Sequence, residues 1–75
     1  MVVAPEEQMR AWPVDAVVAF LVGRDLAGPA ELMRCSGVNG EDLLSLDVDT
    51  LVREIRTTSF AAKKILRARD AFLHS

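Results

Sequence analysis

The stretch Val38-Asn39-Gly40-Glu41-Asp42-Leu43-Leu44-Ser45-Leu46-Asp47 decides how this chain folds. Asn39-Gly40 is a turn signal. Glu41 and Asp42 follow in what would be the first turn of a helix, where acids favour the positive end of the dipole. Leu43, Leu44 and Leu46 supply an apolar side, and Asp47 suits the N-cap of a further helix. Beyond it, Val48, Leu51, Val52 and Ile55 keep a helical spacing. Arg56-Thr57-Thr58-Ser59 interrupts, and Thr58 or Ser59 can cap a last helix from about Phe60 to Leu73. On that helix Ala61, Ala62, Ile65, Leu66, Ala68, Phe72 and Leu73 share one broad side.

Working towards the N-terminus, Gly28-Pro29 marks a turn and a start. Ala30 to Arg34 reads as a short helix stopped around Ser36-Gly37. Val14, Val17, Val18 and Leu21 recur at i, i+3, i+4 and i+7 in a helix that Trp12-Pro13 opens and Gly23 ends. Residues 1–11 have no sustained period and include Pro5, so they read as a flexible arm ahead of a domain over residues 12–74. No run alternates with period two. The expectation is an all-α, compact five-helix bundle, four helices short and the C-terminal one longer. Val17, Leu21, Leu43, Leu44, Leu51, Ile65 and Phe72 are its expected buried residues, with Trp12 packing at the core edge against the last helix.

Length and composition exclude several function classes. With 75 residues, 51% hydrophobic and 27% charged, the chain fits one small folded domain. A core of this size supplies about 3–5 kcal/mol, which leaves little for a deep catalytic cleft. No enzyme activity and no cofactor are expected. Cys35 is the only cysteine and His74 the only histidine, so neither a disulfide within the chain nor a zinc ligand set is available. Cys35 is expected as a buried or idle thiol and His74 as a solvated end residue. The longest uncharged run, Ala16 to Gly23, falls far short of the roughly 20 residues of a membrane span. The apolar start is too short for a signal peptide. These features suggest a soluble, intracellular and cytoplasmic domain.

Charge is unevenly placed. Residues 1–50 carry nine acids against three arginines, a net −6; residues 51–75 carry six bases against two acids, a net +4. Such asymmetry suits an interaction role, although solvated faces on ordinary helices would give the same count.

The order of these marks resembles the sterile alpha motif (SAM) domain family across Trp12 to Leu73. Trp12-Pro13-Val14-Asp15-Ala16-Val17-Val18-Ala19-Phe20-Leu21 is similar to that family's first helix. Leu26 matches the leucine after it, and Val38-Asn39-Gly40 with Leu43-Leu44 and Leu46 matches its centre. Leu51 matches the fourth helix, and Lys63-Lys64-Ile65-Leu66 with Phe72-Leu73 matches the last. Two departures stand out. Ile55-Arg56 replaces the glycine turn after the fourth helix, and Phe60-Ala61-Ala62 replaces the Gly-His-Arg that opens the fifth.

The resemblance implies a protein–protein interaction module that associates head to tail with itself or another SAM domain. Its acidic surface would use Glu41, Asp42, Asp47 and Asp49. Its basic surface would use Arg53, Arg56, Lys63 and Lys64, with Phe60 in place of the family's glycine. Heterologous contacts of this kind propagate into homo-oligomers or open polymers, as in scaffold and signalling assemblies. The alternative is RNA-hairpin binding through Arg56, Lys63, Lys64 and Arg67, which the pI near 5.2 disfavours. On a helical wheel Phe60 falls among Lys63, Lys64 and Arg67. It is either an exposed anchor or a local staple folded back onto Ile55.

Overall fold

The core of the bundle is set by one buried residue on the first short helix, two on each of the other short helices and three on the long one. The computed structural model describes residues 3–74, and these form an all-α chain with no strand. The helices are α1 (Pro5–Arg10), α2 (Val14–Val22), α3 (Ala27–Ser36), α4 (Gly40–Ser45), α5 (Val48–Thr50, continuing through Leu51–Ile55 in π-helical form) and α6 (Ser59–Leu73). No helix among them is long and apolar enough to cross a membrane.

Each boundary has a local cause. Pro13 precedes α2 in extended conformation as its N-cap, one residue earlier than a first-turn proline. Gly37 ends α3 at φ 70°, the left-handed conformation that costs glycine nothing. Asn39 and Asp42 form a capping box at the start of α4: Asn39 Oδ1 accepts from the Asp42 N–H at 2.9 Å, and Asp42 Oδ2 accepts from the Asn39 N–H at 3.3 Å. Asp47 caps α5 and Thr58 caps α6, through Asp47 Oδ1 to the Thr50 N–H (2.8 Å) and Thr58 Oγ1 to the Ala61 N–H (3.0 Å).

The expected arm gives way to helix from Pro5 onward. Its first two residues lie outside the described ones, but α1 buries Met9 completely. Pro5 stands at the first helical position, where its missing N–H costs nothing, and Glu6 and Glu7 follow at the dipole's positive end. A single apolar contact residue in six leaves no periodicity to detect. The helices therefore number six among the described residues, not five.

Met9, Val17, Leu21, Leu26, Ala30, Met33, Val38, Leu43, Leu51, Ile55, Ala62, Ile65 and Ala68 form the buried core. Two expected members are only half-buried. Leu44 neighbours Leu43 about 100° around a six-residue helix, so only one of them faces the centre, and it is Leu43. Phe72 lies in the last turn of α6 at the rim. There it joins Trp12 (ring centroids 5.0 Å apart) and Phe20 (5.8 Å), and Trp12 and Phe20 are themselves 5.2 Å apart. This aromatic trio ties the start of α2 to the end of α6, the packing expected of Trp12.

The α5–α6 corner carries a non-glycine residue in a glycine conformation. Arg56 sits at φ 72°, and the Thr57 N–H reaches back to the Leu51 carbonyl at 3.1 Å. Thr57 is buried by this turn, and its hydroxyl has no hydrogen-bond partner. An unpaired buried hydroxyl costs about 1–3 kcal/mol. Thr57→Val keeps the shape and removes the polar atom, so it should raise stability by about 1 kcal/mol. A urea midpoint at or below that of the parent would contradict this account.

Candidate interaction surfaces

Three of the four acids expected on one surface have separate local duties. Asp42 is held in the capping box of α4 and Asp47 in the cap of α5. The Thr50 N–H beside Asp47 holds its carboxyl below the usual carboxylate range. Asp49 pairs with Arg53 one turn on, Oδ1 to Nε at 3.1 Å, both exposed. Glu41 lies in the first turn of α4 and has no ion pair among the described residues.

Between α4 and α5 lies an open depression of about 330 Å³. Val38, Leu46 and Ile55 supply its apolar lining, Ser45 and Thr50 its neutral polar lining, and Asp42 and Glu54 its charge. Glu54 escaped the sequence reading because it lies in the basic half of the chain. It follows Arg53 directly, yet the helix turns the two apart, one into an ion pair and one into the depression.

The basic set divides as well. Arg53 stands beside Asp49 on α5 in an exposed ion pair. Arg56 is exposed at the left-handed C-cap of α5. Phe60, Lys63 and Lys64 are exposed in the first turns of α6. Phe60 does not fold back: it is 68% exposed, and Lys64 Nζ stands over its ring 4.7 Å from the centroid. The staple alternative is thereby set aside.

A second open depression, of about 410 Å³, lies where the α2–α3 corner meets α6. Arg24, Lys64 and Arg67 line it together with Asp25, Leu26, Ala68 and Ala71. Arg67 belongs with the α6 cations legible in the sequence; Arg24, forty residues before Lys64, carries no sequence signal that links it to them. Arg24 also stands over the Phe20 ring at 5.0 Å.

Ion pairing sorts the cations. Arg10 pairs with Glu6, Arg34 with Glu31, Arg53 with Asp49 and Arg69 with Asp70. Among the described residues Arg24, Arg56, Lys63, Lys64 and Arg67 have no carboxylate at ion-pair distance. Four of these five lie on α6 or in the depression against it.

The thiol of Cys35 is exposed, not buried, near the end of α3. His74 is exposed beyond α6. No group of three or more His, Cys, Asp or Glu side chains is placed to hold a metal among the described residues. No family model, curated protein or solved structure matches the chain.

Proposed function

We propose that the chain is a SAM-type protein–protein interaction module, without catalytic activity, working inside the cell. It associates head to tail with a second copy or with another domain of the same kind. The observation that carries this reading is the exposed Phe60 ring under Lys64, together with a separate, mostly apolar depression flanked by Asp42 and Glu54. An aromatic held among cations and an apolar seat rimmed by carboxylates are complementary in both shape class and charge. Rim charges contribute register and encounter rate, and the desolvated aromatic contributes most of the affinity. Two different patches on one chain give a heterologous contact, which propagates rather than closing on itself.

Light scattering and sedimentation of the chain at low salt test this directly. Association in the micromolar range corresponds to about −8 kcal/mol. It should weaken as added salt shortens the screening length from about 10 Å towards 3 Å. Phe60→Ala should weaken it by more than about tenfold, as loss of a hot-spot aromatic does. Glu54→Lys and Lys64→Glu should each leave a folded monomer, and their mixture should stop at a dimer with one working contact. Glu54 serves better than Asp42 here, because Asp42 also caps α4. A chain that stays monomeric at high concentration and low salt refutes self-association. The other reading, RNA-hairpin binding, rests on the same unpaired cations and on Phe60 as a stacking ring; saturable binding of a hairpin pool lost in Lys63→Glu would favour it.

A further inference from the structure

We infer that the depression between the α2–α3 corner and α6 is a binding site for a phosphomonoester or pyrophosphate group. The site shares Lys64 with the proposed association surface, and it is tested through Arg24, Asp25 and Arg67, which that surface does not use. Three observations converge. Arg24, Lys64 and Arg67, three of the five described cations without a carboxylate partner, line one depression. Two of them are held by aromatic rings and not by acids: Arg24 over Phe20 at 5.0 Å and Lys64 over Phe60 at 4.7 Å. A ring positions a cation without neutralising it, so the charge stays available to a ligand. The third observation is the lining between them, where Leu26 and Ala68 are buried apolar residues. Next to such surface the effective dielectric falls and charge pairing strengthens.

The charge balance selects the ligand class. Three cations and the single carboxylate of Asp25 leave the site at +2. A phosphomonoester carries about −1.5 to −2 at neutral pH, and guanidinium forks match its oxygens bidentately. A volume of about 410 Å³ exceeds what a lone phosphate needs and falls in the usual range of small-ligand sites, about 300–1,000 Å³. The group can arrive on a soluble polyol or nucleotide, or on a phosphoinositide headgroup.

Asp25 supplies a discriminating test. It occupies the left-handed region at φ 62°, which asparagine also tolerates. Asp25→Asn thus removes the one opposing charge while keeping the corner. Sodium pyrophosphate titrated into the full chain at low salt, followed residue by residue by heteronuclear NMR, should give saturable shifts centred on residues 24–26 and 64–71. The expected Kd is about millimolar or tighter. Arg24→Gln with Arg67→Gln should weaken it by about tenfold or more, and Asp25→Asn should tighten it about threefold or more. Arg53→Gln, whose cation is already paired, should change nothing. Co-sedimentation then separates the sources. Retention on phosphatidylcholine vesicles carrying phosphatidylinositol bisphosphate assigns the site to a lipid headgroup, and pyrophosphate binding without retention assigns it to a soluble phosphate. Equal retention on phosphatidylserine vesicles of the same charge, an unchanged Kd in Asp25→Asn, or hairpin RNA binding without pyrophosphate binding would overturn the proposal.

Discussion

Replacing Gly40 by alanine should cost about 3 kcal/mol or more, close to the whole stability expected of so small a domain. Gly40 is the first residue of α4, buried, and its N–H donates to the Trp12 carbonyl at 2.9 Å. A Cβ there would overlap the Met9 carbonyl oxygen, reach 2.8 Å from the Met9 carbonyl carbon, and lie 3.0 Å from the Trp12 Cβ. The obstruction is backbone, so no rotamer change relieves it. Relief requires α1 to back away from α4, which breaks the Gly40–Trp12 hydrogen bond and exposes Met9. Gly28→Ala is the matched control. It lies within α3, a Cβ there meets nothing within 4 Å, and alanine should be neutral or favourable by about 0.5–1 kcal/mol. Urea unfolding of the two variants side by side checks the pair. A Gly40→Ala protein as stable as Gly28→Ala would mean that α1 is not seated on α4 as described.

The second large effect concerns Arg69. A short helix leaves its last carbonyls without partners, and α4 solves this with a side chain that lies 23 residues beyond Leu46. Arg69 Nη1 donates to the Leu46 carbonyl at 2.8 Å and to the Leu43 carbonyl at 3.3 Å, while Nε donates to Asp70 Oδ1 at 2.9 Å. Its side chain is only 16% exposed, so these charge-assisted bonds are poorly replaced by water. A cation at the negative end of the helix adds to them. Arg69→Met keeps the apolar stem and should lose about 2–3 kcal/mol. Arg69→Lys should recover part of that, since one ammonium cannot reproduce the fork. Arg53→Met, which breaks an exposed pair, should lose at most about 1 kcal/mol. Chemical denaturation in which the Arg69 and Arg53 variants lose equal stability would refute the capping role.

Legibility in the sequence followed the range of the forces involved. Capping is a matter of three or four residues, and the caps at Asp47 and Thr58 and the stop at Gly37 were visible as residue types in place. The apolar faces of α2 and α6 were visible as spacing. The helix α1 was not visible, because one buried methionine makes no period. The turn at Arg56 was obscured because its left-handed conformation is not announced by a glycine. Gly40 looked like a turn residue; its actual constraint is the backbone of α1 pressed against it.

The charged residues divide along the same line. The sequence by itself determined that the protein is helical and that acids and bases are segregated along the chain. It also placed Phe60 on the charged side of the last helix. Only the tertiary structure decided which charges remain free. Arg53 pairs with Asp49 and Arg69 is spent on α4, while Glu54 joins an apolar depression and Arg24 joins Lys64 and Arg67 across the bundle. The physical reason is that a helix turns adjacent residues about 100° apart while packing brings distant helices within a few ångströms, so a net charge counted along the chain does not describe the field at any one surface.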